Sequence, residues 1–237
     1  VLENFRPGTL EKWGLGYEAM AELNPRLVMA RVSGFGQTGP YAKRAGYGLV
    51  GEAMGGMRYV TGEPDRPPSR AGISIGDSLA AMHAALGVMM ALHARERSGR
   101  GQVVDAALYE SVLAVMENLV TEYGLTGYIR ERSGSILPGI APSNVYPTSD
   151  GMILIGGNGD TVFARLCDAM GQPELKTDPR YVDHASRGRH QKELDDHIGA
   201  WSRTWTLAAL LEHLEAQGVP CGRIYRAPDM LEDPQYQ

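Results

Sequence analysis

The feature that most limits how this chain can fold is an apolar run over residues 79–92, fourteen residues interrupted only by His83. As a helix rising 1.5 Å per residue it would be about 21 Å long, short of the ~30 Å hydrocarbon core of a bilayer. It is therefore expected to be a buried core helix, and no membrane partner is expected. Ala80, Ala81, Ala84 and Ala85 would let a neighbouring backbone approach it closely. The chain around it has 237 residues, 43% hydrophobic and 22% charged. That is enough for one large or two smaller globular domains and excludes disordered or fibrous architecture.

Helix and strand signals alternate along the first half. A helix is expected over 9–22, between Pro7-Gly8 and Asn24-Pro25, followed by a strand over 27–32 and a Gly-rich turn over 33–40. A short helix over 47–54, a strand over 72–75, the long helix over 78–97, a strand over 102–108 and an amphipathic helix over 109–123 complete an α/β pattern. Residues 1–5 read as the end of a strand, so an upstream segment is expected. From 133 to 147 the composition turns to Ser, Gly, Pro and Asn, which marks a linker or active-site loop. Beyond it come a strand over 152–156, helices over 161–170, 189–200 and 206–217, and a strand over 220–225. These form a small α+β domain, with Asp160 expected to cap its first helix.

Charge and cysteine content exclude several functions. The net charge of −5 argues against nucleic-acid binding, which needs a strongly basic face. Residues 1–70 nevertheless carry +2 against −7 for the rest, so a small anionic ligand suits the front half. Cys167 and Cys221 lack a Cys-x-x-Cys pair or a neighbouring His cluster, which predicts no metal site and fits a reducing, cytoplasmic setting. No secretory signal is read at the start of the sequence as it stands.

Two short motifs match known patterns literally. Gly34-Phe35-Gly36-Gln37-Thr38-Gly39 fits G-x-G-x-x-G, but it runs into Pro40-Tyr41-Ala42-Lys43-Arg44, and no acidic residue closes a second strand about 20 residues later. It reads as a flexible turn. Gly72-Ile73-Ser74-Ile75-Gly76 fits the serine-hydrolase elbow, yet Ser74 falls inside the expected strand and the turn falls at Gly76-Asp77. The residue expected to project between strand and helix is Asp77. As a structural element, Asp77 or Ser78 would be an N-cap. As a functional one, Asp77 would be a carboxylate nucleophile at the positive end of a helix dipole.

Several segments then point the same way: Glu3-Asn4-Phe5-Arg6-Pro7-Gly8, Asn24-Pro25-Arg26-Leu27, Ser33 through Pro40, Gly46-Tyr47, Gly76-Asp77-Ser78, and Ser98-Gly99-Arg100-Gly101-Gln102-Val103-Val104-Asp105. In this order they resemble the family III CoA-transferases, the CaiB/BaiF group that includes formyl-CoA transferase-like enzymes. The likeness continues through residues 146–151 and 218–222. It implies a Rossmann-like large domain plus a smaller α+β domain. The large domain would be partial over 1–132, with a linker or active-site loop at 133–147, the small domain at 148–225, and a return towards the large domain beginning at 226–237.

The resemblance also implies a reaction. Asp77 would attack the thioester carbonyl of an acyl-CoA, giving a mixed anhydride and CoA thiolate. The thiolate would attack the aspartyl carbonyl, leaving an aspartyl-CoA thioester and a free acid, and the steps would reverse with a second acid. Asn4, Phe5, Lys12 and Trp13 fall where the family contacts CoA, and Tyr47 would position the acyl group. The substrates implied are acyl-CoA and a small carboxylic acid, with no metal, and the assembly implied is an intertwined homodimer. Tyr47 stands where the related 2-methylacyl-CoA racemases carry a His, and tyrosine, with an ordinary pKa of about 10, is poorly suited to moving an α-proton. His83 lies on another face of the helix. The sequence departs from formyl-CoA transferase in lacking its run of consecutive glycines, with only Gly134 and Gly139 in the corresponding loop. That departure leaves the shielding of the anhydride, and a formate or oxalate preference, open. The racemase, a hydrolase using Ser74 and a non-catalytic fragment are the alternatives.

Overall fold

A computed structural model describes residues 1–237, and its first sheet is parallel throughout. The chain divides into two units, Val1–Arg132 and Ser133–Gln237. In the first, strands β1 (Leu2–Glu3), β2 (Met29–Ser33) and β3 (Val103–Ala107) lie in the order β1-β2-β3. Parallel neighbours require crossover connections. Helices α1 (Thr9–Lys12) and α2 (Tyr17–Leu23) join β1 to β2. Helices α3 (Gly48–Met54), α4 (Met57–Val60) and α5 (Ile75–Ser98) join β2 to β3. Helices α6 (Leu108–Leu113) and α7 (Leu119–Thr126) follow. Central β2 is enclosed on both faces, with Met29 and Ala30 fully buried, as expected for a parallel strand.

Register places Glu3 opposite Arg31, and the two form a buried ion pair, Nε to Oε1 2.6 Å. The same guanidinium reaches Glu11 of α1 at 2.7 and 3.3 Å, and the Phe5 N–H donates to Glu3 Oε2 at 2.7 Å. One arginine thus anchors the whole segment from β1 into α1. Its hydrogen bonds hold the Glu11 carboxyl below the usual carboxylate range.

The structure corrects several boundaries. The helix expected over 9–22 breaks into α1 and α2 because Gly14 adopts φ 72° after Trp13. The helix expected over 109–123 splits into α6 and α7, with Glu117 at φ 54° between them. Residues 72–75 are not a strand. Gly72 and Ile73 form a bend, Ser74 is the N-cap of α5 without a side-chain cap bond, and Asp77 is the third helical residue rather than the cap.

Helix α5 is buried on one face only. Gly76, Leu79, Ala80, Ala84 and Ala91 pack inward, and at Gly87 an added Cβ would lie 2.5 Å from the Val104 methyl of β3. Met82, Leu86, Met89 and Met90 on the opposite side are 55–69% exposed. The expected core helix therefore has sheet and α6 against a single face. By length and composition α5 could also cross a membrane, a test that core helices pass equally.

The second unit is built on an antiparallel sheet, β4 (Ser143–Pro147), β5 (Met152–Gly156) and β6 (Cys221–Arg223), in the order β4-β5-β6. Alternation along β5 buries Ile153 and Ile155 and exposes Met152 and Leu154, the signature of a sheet covered on one side. Helices α8 (Asp160–Ala169), α10 (Gln191–Ser202) and α11 (Leu207–Ala216) supply Phe163, Leu166, Leu194, Ile198, Leu210 and Leu214 to that core, α9 (His184–Arg189) lies between α8 and α10 in the chain, and α12 (Ala227–Glu232) follows β6.

Residues 133–147 are more ordered than their composition suggests. Ser143–Pro147 is strand β4, and the buried Gln191 side chain bonds the Gly139 N–H and the carbonyls of Leu137 and Ile140. Asp160 does not cap α8, whose N-cap is Gly159 without a cap bond. It pairs instead with the buried Arg187 guanidinium at 2.6 Å.

Replacing Arg31 by Met should destabilise the fold by about 3–5 kcal/mol, because Glu3 would be left charged and buried without a partner. Urea unfolding monitored by circular dichroism measures the difference.

Candidate active site

Asp77 occupies the first turn of a 24-residue helix, where the macrodipole favours negative charge by about 0.3–1 kcal/mol. Its surroundings are built from glycine. An ideal Cβ on Gly48 would lie 2.1 Å from Asp77 Oδ2, 2.7 Å from its Cγ and 3.0 Å from Oδ1. A Cβ on Gly76 would lie 2.8 Å from the Gly48 carbonyl oxygen. Gly34, in the turn after β2, and Gly46 face each other so closely that a Cβ on either would come within 2.9 Å of the other's Cα. The turn after β2, the start of α3 and the start of α5 are thus packed backbone against backbone, with the Asp77 carboxylate seated over Gly48.

The turn is tied from behind. The Gln37 N–H donates to Asp105 Oδ2 of β3 at 2.7 Å, and Gly36, at φ 82°, has its Cα beneath the same carboxylate. Burial raises the Asp105 carboxyl above the usual range, against the lowering effect of the Gln37 N–H. The G-x-G-x-x-G segment therefore serves as a close-packed wall at Gly34 and Gly36, whereas Gly39 answers a backbone need, at φ 88° with open space around it.

A cavity of about 230 Å³ opens beside these contacts, and Asn4, Phe5, Tyr47 and Asp77 all line it. A larger cavity of about 970 Å³ runs along the small-residue flank of α5, and Asn4 and Asp77 border that one as well. Lys12 and Trp13 line neither. Lys12 ends α1 in solvent, and Trp13 contacts the site only through Phe5, edge to face with ring centroids 5.2 Å apart. Tyr47 is the N-cap of α3 and is 75% exposed.

Three lining residues, Arg6, Ser33 and Arg44, received no role from the sequence. Arg44 appeared there only as part of a basic stretch that spoke against a dinucleotide helix. The glycine spacing 34, 46, 48 and 76 was the available signal for the packed wall, but it becomes legible only once the three segments converge.

The competing chemistries lose their geometry. Ser74 is the exposed N-cap of α5, where only Arg70 reaches its hydroxyl, at 3.5 Å, so no nucleophile elbow exists. No histidine lines the cavity with Asp77, and His83 Nδ1 is buried elsewhere without a partner. No group of three or more His, Cys, Asp or Glu side chains is arranged to hold a metal ion.

A parallel α/β unit that presents a carboxylate from a helix start, over a glycine-packed wall, defines the class to compare. The model of CoA-transferase family III matches residues 1–237, and the chain belongs to that family. It is 63% identical over its full length to a succinyl-CoA–D-citramalate CoA-transferase of Chloroflexus aurantiacus, covering 59% of that protein. It is 37% identical to a succinate–glutarate CoA-transferase of Agrobacterium fabrum, again covering 59% of the relative. The crystal structure of a CaiB/BaiF family protein from Brucella suis superposes with a TM-score of 0.86 at 36% identity, over the whole of this chain and 62% of the other. The chain therefore spans about three-fifths of the length of the relatives it matches.

Gly48 has an ordinary helical backbone, where alanine would favour the helix by roughly 0.5–1 kcal/mol. The Gly48→Ala variant should keep its melting temperature, since the exposed Asp77 side chain can swing away, but lose about 10²-fold in kcat through displacement of the carboxylate. Thermal unfolding and steady-state kinetics on the same preparation separate the two effects.

Proposed function

We propose that the protein moves CoA between an acyl-CoA and a carboxylic acid, with Asp77 as the covalent carrier. The observation that carries this reading is the placement of an exposed, unpaired carboxylate over Gly48, in one cavity with Asn4, Phe5 and Tyr47. Asp77 Oδ attacks the thioester carbonyl and expels CoA thiolate, forming a mixed anhydride. The thiolate attacks the aspartyl carbonyl, releasing the first acid as its carboxylate and leaving an aspartyl-CoA thioester. A second acid attacks that thioester and the sequence runs back, restoring Asp77. One thioester replaces another, so no nucleotide is consumed, and dividing the exchange into acyl transfers is what covalent catalysis contributes.

Asn4 and Phe5 contact the CoA chain beside the cavity. Lys12 and Trp13, further out along the same segment, meet its phosphate and adenine portions, and Tyr47 positions the acyl group. Relatives named for succinyl-CoA, citramalate, succinate and glutarate support short dicarboxylic acids as the substrate class. The absence of a histidine beside Asp77 supports transfer over racemisation.

The test uses the full-length protein. Incubation with succinyl-CoA followed by hydroxylamine should convert Asp77 to its hydroxamate, read by peptide mass spectrometry. Asp77→Asn should lose on the order of 10⁴–10⁶-fold in transfer rate, the scale seen when a covalent nucleophile is removed. An Asn variant exchanging CoA at the parent rate would sink the assignment.

A further inference from the structure

We propose that Arg44 is the specificity-determining residue for the acid substrate, holding the second carboxylate of a dicarboxylic acid while the first reacts at Asp77. This inference rests on the transferase reading above. The smaller of the two cavities bordered by Asp77 has two cations in its lining, Arg6 and Arg44. Neither belongs to any of the ion pairs in the chain.

Arg44 is the one whose guanidinium is held in place. Its central carbon lies 3.6 Å from the centroid of the Tyr41 ring, a stacking contact that orients the planar group and leaves its charge unneutralised. A guanidinium held by a ring face still offers its fork of N–H donors, which matches a carboxylate bidentately. Ser33 lines the same cavity and is about nine-tenths buried, with a hydroxyl that has no partner within the chain. An unpaired guanidinium at the lining of a cavity of about 230 Å³ suits a small anion.

The chemistry requires such a partner. When CoA moves between dicarboxylic acids, one carboxylate of each acid becomes an anhydride and then a thioester, while the other stays ionised through every step. That second charge shares a small cavity with Asp77, so without a cation it would meet only repulsion. A monocarboxylic acid of equal length makes no such demand.

In a double-displacement reaction kcat/KM for the acceptor reports only the second half-reaction, so the donor's own charge does not enter. The experiment compares glutarate with valerate, five-carbon acids differing by one carboxylate, in the full-length protein with a fixed CoA donor. Arg44→Gln should lower kcat/KM for glutarate by about 10–150-fold, the equivalent of a charge-assisted hydrogen-bonded pair, and leave the value for valerate within about threefold. Arg44→Lys should restore part of the glutarate value, since it keeps the charge but loses the fork. Equal losses for both acids, or a rise confined to KM for the CoA donor, would overturn the assignment and place the arginine on the CoA portion. If the parent protein transfers CoA to neither acid and Asp77 yields no hydroxamate, the transferase reading falls first and this one with it.

Discussion

Backbone packed directly on backbone is the constraint on which the site depends. Gly34 against Gly46, Gly76 against the Gly48 carbonyl, and Gly48 beneath the Asp77 carboxylate bring three chain segments closer than any side chain would permit. Each segment follows or precedes a regular element: the end of β2, the start of α3 and the start of α5. The wall therefore inherits the stiffness of the parallel sheet and of the long helix. The carboxylate occupies the space that the missing Gly48 Cβ leaves open, a steric allowance that does not depend on charge.

The second support is electrostatic and lies on the other side of the cavity. Asn4 and Phe5 follow a two-residue strand that is too short to hold them by ladder bonds alone. Arg31 makes up the difference, gripping Glu3 by register and Glu11 across α1. An ion pair this deeply buried would be exchanged for apolar residues at little loss in stability. Its retention is understandable if orientation of the Asn4-Phe5 segment, rather than stability, is what it supplies.

Much of this was legible in the sequence, and the exceptions share a cause. The alternation of helix and strand, the long helix, the small α+β unit and the place of Asp77 near a helix start could be read from apolar runs, turn residues and segment order, since each is a local signal. The strand expected over 72–75 failed because Ile73 and Ile75 flank a serine in an alternating pattern that a bend leading into a helix can also produce. The helix over 9–22 failed because its apolar period continues across Gly14 while its backbone does not. Arg44 and Ser33 were invisible as lining residues because the cavity arises from convergence of segments distant in sequence. The hold of Asp105 on Gln37, 68 positions away, is equally nonlocal. The linker reading of 133–147 missed Gln191 for the same reason: a buried amide from α10 satisfies a stretch that has no ladder of its own up to β4.

The contrast among the carboxylates explains why this aspartate suits covalent work. Glu3 and Glu52 are buried and bound to Arg31 and Arg58, and Asp105 accepts a backbone N–H. Acylating Glu3 would remove its charge and strand the buried Arg31 guanidinium, a penalty of about 1–3 kcal/mol or more. Asp77 has no ion-pair partner in the chain to abandon, and Gly48 beneath it presents only a Cα. The space that Gly48 leaves beneath it is the same in the ionised form and once the charge is gone. A residue proposed to pass from carboxylate to anhydride to thioester and back needs a mount indifferent to its charge, and glycine packing meets that need where a salt bridge would not.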